Sequence, residues 1–446
     1  MTTQDVDTLI LGAGLAGLST ALHLGDGYRI LEREAHVGGK AHTFVEHGHH
    51  FDVTGHWLHL RTPEVQALVQ RLLGDAMVQR ARRARVYSHG VYTLYPYQAN
   101  TYGLPPEVAA ECVTGFVRAR CWDRLSDTAP EPQLAPTTFA EFILQRLGEG
   151  IAHNFMFPYN QKLWTVHPRE LDASWCARFV PVPSLDDVIL GALGQSPQAL
   201  GYNVHFQYPT QGGIARLPRA LHGALDGPVE LGAQVARIDL DARQAVTADG
   251  RRLGFRHLVT TTPLNQLLAM MTALPDDVRE AATHLRHTTI TYFDVAARGA
   301  NPEQPHWVYV PEPHFPFYRI GSFTAVEPTM SPPDTRSFYV EISHQGDTLS
   351  LDDAEGQVVA QLCEMKLIDH PDDVLFIKRR HIDVAYVLEG ADVAPARRTI
   401  LDYLRSRRVL STGRYGAWVY AAMEDAILDG MQAAEQVKAW RAEPAG

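Results

Sequence analysis

The sequence predicts a mixed α/β fold in which a discontinuous, doubly wound dinucleotide-binding domain of Rossmann type carries an inserted substrate domain, part helical and part antiparallel sheet. Three observations predict it. An apolar β-type run over residues 6–11 leads directly into Gly12-Ala13-Gly14-Leu15-Ala16-Gly17. Helical and strand-like stretches then alternate in long blocks. A second glycine turn, Gly413-Arg414, follows a short strand near the carboxyl end.

The first block is a compact βαβ unit. Residues 15–24 have helical character and stop at Gly25 and Gly27, and residues 28–31 form a second strand ending at Glu32. In this setting Gly12 permits a tight turn, Gly14 lets the backbone approach a pyrophosphate, and Gly17 allows close helix–strand packing. The phosphates would lie at the positive end of the helix dipole. Glu32 would accept hydrogen bonds from a ribose hydroxyl and repel a 2′-phosphate. Gly38-Gly39-Lys40 follows closely. A glycine pair just after the ribose-binding acid resembles flavoproteins of the glutathione-reductase and amine-oxidase type, which implies FAD as the cofactor. In those families a second helix amino terminus, here at Gly413-Arg414, closes the FAD site.

Six histidines crowd the next segment: His42, His47, His49, His50, His56 and His59. No cysteine or tight acidic pairing accompanies them in a zinc-type spacing, so the sequence predicts no metal site. His56 and His59 are expected on a loop over the flavin, and the other four as solvated or hydrogen-bonded loop residues. Residues 105–193 read as mainly helical, with a proline-rich linker at Pro130, Pro132 and Pro136. The loop Tyr208-Pro-Thr-Gln-Gly-Gly213 precedes another helix-like segment. Residues 229–262 alternate as short strands with an Asp249-Gly250 turn. The stretch 288–343 is β-rich at 288–295, 307–310, 317–323 and 337–342. A strand at 409–411 and a helix from about 423 to 440 end the chain. The expected organisation is therefore 1–95, 206–279 and 386–446 for the FAD domain, 96–205 for the helical substrate domain and 280–385 for the sheet substrate domain.

Composition restricts the partners. Among 446 residues, 40 are basic and 51 acidic, for a net charge of −11, and only five of the 40 are lysines. An acidic total argues against a nucleic-acid polymer as ligand. No window holds the roughly 20 apolar residues that would span a membrane, and no secretory signal opens the chain. The four cysteines, Cys112, Cys121, Cys176 and Cys363, are too scattered for a disulfide framework. These features predict a cytoplasmic protein, and a homo-oligomer is compatible with them. The sequence contains no nucleophile elbow, zinc-protease motif, P-loop or EF-hand loop. The paired acids, such as Asp186-Asp187, read as turns and helix starts.

Further motifs resemble the UDP-galactopyranose mutases and their protoporphyrinogen-oxidase-like and amine-oxidase-like relatives. Gly55-His56-Trp57-Leu58-His59 looks like the histidine loop those mutases hold beside the flavin, and Tyr95-Pro96-Tyr97-Gln98-Ala99-Asn100 is similar to their Pro-Phe-Asn segment. Trp164 and Arg178 share the family's tryptophan-to-arginine spacing, with Pro168-Arg169-Glu170-Leu171 between them. Arg286, Arg319 in Pro316-Phe317-Tyr318-Arg319-Ile320, and 413–426 extend the likeness.

The resemblance implies an FAD enzyme that isomerises a nucleotide-linked sugar, with reduced flavin N5 attacking the anomeric carbon. It implies His56, His59 and Arg319 at the reaction centre, and Trp164, Arg178, Arg286, Tyr386 and Tyr420 around a phosphate-bearing small molecule. It implies a cofactor set of Gly12, Gly14, Leu15, Ala16, Gly17, Glu32, Arg33, Gly38, Gly39, Lys40, Val235, Gly413, Arg414, Tyr420 and Met423. NAD(P)H or another reductant would prime the flavin. Three departures leave a flavin oxidase or desaturase acting on a small metabolite as the alternative. Trp418 stands where the mutases have a phosphate-binding tyrosine, Tyr386-Val387 replaces Tyr-Pro, and Gln98 differs from the mutase pattern. Arginine suits a diphosphate because its planar fork donates two parallel charge-assisted bonds.

Overall fold

A computed structural model describes residues 4–125, 135–195, 200, 204–301, 303–346 and 353–443. Pro130 and Pro132 of the expected linker lie outside these residues.

The first sheet grows from the βαβ unit. Strand β1 (Gln4–Leu11) ends in the apolar, buried run Leu9-Ile10-Leu11, as a strand covered on both faces must. Helix α1 (Leu15–Leu24) and strand β2 (Tyr28–Leu31) follow. β1 pairs in parallel with β2 on one side and with Arg252–Thr260 on the other, and Val409–Ser411 adds in parallel beyond Leu258–Thr260. Val235–Asp239 and Gln244–Thr247 extend the same sheet antiparallel, and Val229–Glu230 closes the far edge beside β2. The sheet thus draws strands from three distant stretches of sequence.

Small residues let the carboxyl-terminal helix (Met423–Ala442) dock tightly on α1. A Cβ added at Gly430 would lie 2.4 Å from the Ala16 carbonyl oxygen, and the Ser19 hydroxyl donates to the Ile427 carbonyl at 2.7 Å.

The second sheet has the order Val374–Ile382, Thr289–Arg298, Thr335–His344, Arg319–Ser322, Trp307–Tyr309, Ala84–Ser88 and Val91–Leu94. Its two long central strands are buried along nearly their whole length. The last two strands come from within residues 1–95 and join through parallel pairing of Ala84–Val86 with Trp307–Tyr309. Helices Pro106–Leu125, Phe139–Ile151, Phe157–Trp164 and Leu185–Ala192 form the helical part. Thr138 and Glu141 make a capping box at the start of the second of these.

The histidine segment departs from its expected form. Thr43–Glu46 and His49–Asp52 are a β-hairpin, and His42 and His49 are buried instead of solvated. His49 bonds through Nδ1 to the Ser331 hydroxyl at 3.0 Å, and His42 stacks on His36 with ring centroids 3.4 Å apart. The apolar flank of each imidazole lets it pack in the interior; His49 keeps a hydrogen-bond partner there, whereas the buried Nδ1 of His42 has none.

Candidate active site

One cavity of about 1100 Å³ runs from the carboxyl ends of the first sheet, past the second sheet, to the helical part. That exceeds the space a single small molecule normally fills and leaves room for a dinucleotide and a substrate together.

At one end the backbone forms a cradle. Gly12 has φ +98°, and a Cβ there would lie 2.4 Å from the Thr261 hydroxyl, so only glycine fits. Gly14 has no such conflict: the nearest atom to an added Cβ is the Gly39 Cα at 4.0 Å. Its bare face opens on the cavity, where a side chain would occupy ligand space. Helix α1 starts there with no side-chain cap and no acid in its first turn, so its first N–H groups are free for an anion. Glu32 is held by the backbone N–H groups of Ala13 and Glu34, at 2.7 and 2.9 Å, and fixes its carboxylate on the cavity rim. Lys40 lines the cavity with no carboxylate within salt-bridge distance among the described residues, and burial pulls its ammonium below the ordinary lysine range. An anion would offset both that desolvation and the open helix end. The residues present therefore fit a dinucleotide pyrophosphate.

The other end is aromatic. Trp164 is locked by a bond from its Nε1 to the Asn160 Oδ1 at 3.2 Å, and meets Tyr386 and Tyr420 edge-on at 5.4 and 5.9 Å. The Arg414 guanidinium sits 5.1 Å from the Tyr386 ring centre and 5.0 Å from that of Tyr420, and donates to the Ala421 carbonyl at 2.8 Å. No carboxylate pairs with it among the described residues. Between the two ends, Arg319 is bound through two nitrogens to the fully buried Glu341, its Nη2 at 2.9 Å from Oε1. His56 lines the cavity with a buried Nδ1 that makes no hydrogen bond; burial first, and Arg414 second, push its pKa down to about 4. It is a neutral imidazole at pH 7. His59, also lowered by burial, lines the cavity and bonds to the His205 carbonyl oxygen at 3.1 Å.

A model of the flavin-containing amine oxidoreductases matches residues 15–438. The chain belongs to this family. It is a flavin-dependent enzyme, and its cofactor is FAD. Solved structures with the same fold include a reduced UDP-galactopyranose mutase, 23% identical over 98% of this chain and 96% of that chain with a TM-score of 0.90. An Exiguobacterium protein assigned as a protoporphyrinogen oxidase is 15% identical over 99% and 100%, with a TM-score of 0.73. A putrescine oxidase bound to putrescine is 16% identical over 98% and 100%, with a TM-score of 0.68. At such identities the likeness speaks for the fold.

In this flavoenzyme most of the residues singled out in the sequence meet at the cavity. Gly12, Gly14, Leu15, Ala16, Glu32, Arg33, Gly38, Gly39, Lys40, Val235, Gly413, Arg414, Tyr420 and Met423 line it, as do His56, His59, Trp164, Arg319 and Tyr386. Gly17 lies behind the wall, where an added Cβ would be 2.0 Å from the Gly12 carbonyl oxygen; its place is in packing.

Two expected anion contacts are elsewhere. Arg286 is exposed and outside the cavity lining, with a guanidinium nitrogen 3.9 Å from the position of a Cβ built on Gly390. Arg286 follows the turn at 283–284 and immediately precedes the bridge of His287 with Val387. Arg178 is also exposed and outside the lining, and it pairs with Asp425 at 2.8 Å. Trp418 is fully buried in the apolar core with φ +55°, so no side chain at that position faces the cavity.

Sequence reasoning missed Glu341, Tyr159, Tyr309 and Asn160, all in the wall. Only Glu341 left a signal: an acid inside the apolar strand pattern of 337–342.

Proposed function

We propose that the flavoenzyme isomerises the ring of a nucleotide-linked sugar. The observation that carries this reading is Arg414, a guanidinium without a carboxylate partner, placed between two cavity tyrosines beyond the dinucleotide cradle. A half-buried cation in that setting favours an anionic ligand group, to which it and the tyrosine hydroxyls can donate. The aromatic recess beyond it suits a planar base. Gln98, in the cavity wall, donates to the Pro181 carbonyl at 2.7 Å. An amine substrate fits less well, because its ammonium would face Arg414 while Glu341 is already bound to Arg319.

When bound and reduced, FAD supplies N5 as a nucleophile for the anomeric carbon. The chain's own residues bind, orient and enclose. Arg414, Tyr386 and Tyr420 hold the diphosphate as it departs and returns, and Trp164, fixed by Asn160, limits where the sugar can swing. Neutral His56 offers a hydrogen bond without adding charge beside Arg414 and Arg319. The aromatic walls exclude water, which would otherwise intercept an opened sugar.

A second reading is oxidation of an uncharged or singly anionic metabolite. It is favoured by the pairing of Arg178 with Asp425 and Arg319 with Glu341, which leaves fewer free cations than a diphosphate clamp would use. Titration of the holoenzyme with UDP and dTDP, read by flavin absorbance and tryptophan fluorescence, separates the two. Saturable binding that is lost in Arg414→Met supports the isomerase. Failure of both nucleotides to bind, together with substrate-dependent flavin bleaching and peroxide release, supports the oxidase.

A further inference from the structure

Glu424 has no counterpart among the residues discussed so far. It is the second residue of the helix Met423–Ala442, whose amino terminus reaches the cavity through Ala422 and Met423, and it is fully buried. Its carboxylate is saturated by one short segment far away in sequence. Oε1 accepts from the backbone N–H groups of Arg61 and Thr62, at 2.6 and 2.7 Å, and from the Thr62 hydroxyl at 2.9 Å. Oε2 accepts from Arg61 Nε at 2.8 Å. Neither Arg61 nor Thr62 lines the cavity, yet both lie directly downstream of Gly55, His56, Trp57 and His59, which do.

Other contacts fix the rest of that loop. Val53 N–H donates to the His42 carbonyl at 3.0 Å, and Leu58 and Gln207 exchange backbone bonds at 3.2 and 2.7 Å. Arg61 and Thr62, at the exit, are tied to the carboxyl-terminal helix through Glu424 and through the Arg61–Asp425 pair at 2.9 Å. A charge-assisted bond to a buried carboxylate is strong and short-ranged, so four of them set a distance.

We propose that Glu424 is a positioning residue for the flavin. It fixes the spacing between the His56 loop and the amino terminus of the carboxyl-terminal helix, the two walls that meet at the cavity beside Arg414. This inference rests on FAD as cofactor and is independent of the substrate.

Glu424→Gln and Arg61→Met test it, because they loosen the same joint while changing charge in opposite directions. Glu327→Gln is the control: that buried carboxylate accepts from Arg80 at 2.8 Å away from the cavity. The readouts are the FAD dissociation constant, the absorption spectrum of bound flavin and its midpoint potential, and the melting temperature of the apoprotein. Both joint variants are expected to weaken FAD binding on the order of ten-fold and to alter the flavin spectrum alike, as a loosened supporting contact does. Glu327→Gln should lower only the melting temperature. FAD affinity and spectrum unchanged in both joint variants would reduce Glu424 to a fold staple. FAD affinities or potentials that move in opposite directions would show charge, and not position, at work. Should Glu424→Gln fail to fold, Thr62→Val replaces it and is judged, with Arg61→Met, by the same outcomes.

Discussion

Replacing Glu341 with alanine strips the partner from Arg319 inside the cavity wall. Glu341 has no exposed surface, and it holds Arg319 through both of its oxygens. Removing one member of a buried ion pair costs about 3–5 kcal/mol, because the other charge is left desolvated. The Arg319 side chain keeps 20% exposure toward the cavity, so the lower end, about 3 kcal/mol, applies. Spread over a cooperative unit of ordinary domain size, this lowers the apoprotein melting temperature by roughly 6–12 °C. Differential scanning calorimetry of the variant measures it directly. Two companions sharpen the test. Glu341→Leu with Arg319→Met removes both charges and should regain most of the loss. Added phosphate should stabilise Glu341→Ala more than the wild type by pairing with the stranded guanidinium. A loss below about 1 kcal/mol, within the range of an exposed pair, would refute the claim that this bond is buried and structural.

Gly14→Val should fold normally, since φ −73° suits any residue and the side chain meets only open cavity, yet it should fail to retain FAD in a gel-filtration assay. Gly12→Ala should instead lose stability, because φ +98° and the Thr261 hydroxyl both oppose a Cβ. Acidification from pH 7 toward 5 should lower the melting temperature. Burial, reinforced by neighbouring His36, Arg414 and Arg83 respectively, holds His42 and His56 down to about 4 and His306 to about 3, so the unfolded chain takes up protons that the folded one refuses. Asp52 and Asp294, raised to about 7 by burial, and Asp429, raised to about 6, act in the opposite sense, but burial also lowers His49, His50, His59 and His257, so the groups that resist protonation are the more numerous. His306→Gln should flatten the profile, and a melting temperature that rises on acidification would contradict the balance. Arg414→Met should weaken nucleotide diphosphate binding by roughly ten- to hundred-fold, the worth of about 1.5–3 kcal/mol for a hydrogen bond to charge. Isothermal titration checks this.

The cofactor half was legible because it is written in local code. A strand, three glycines, a helix and an acid at the next strand end are neighbours in sequence, and each has one physical reason to be there. The bounds of α1, β2 and the strand at 409–411 coincide with the sequence reading for the same reason: glycines punctuate them.

The substrate half was less legible because its parts meet only in the fold. Arg178 carries the right spacing from Trp164, but nothing local announces that Asp425, in the carboxyl-terminal helix, captures it. The buried histidines illustrate a second limit. A polar run such as His47-Gly48-His49-His50 suggests a solvated loop, while a two-residue turn folds it into a hairpin in which Phe376 covers His49 and Phe51 and Ser331 bonds to His49. Arg286 lies outside the cavity for a simpler reason: an arginine's type says that it can bind an anion, not which way its segment of backbone will point it.

The most direct test of the central claim is an anaerobic incubation of dithionite-reduced holoenzyme with a panel of UDP- and dTDP-hexopyranoses, followed by chromatography and NMR of the sugar nucleotides. The account predicts a ring-isomerised product from at least one of them, formed catalytically with no net consumption of reducing equivalents and absent when the flavin is oxidised. Recovery of every sugar nucleotide unchanged, from enzyme whose flavin is fully bound and fully reduced, would contradict it.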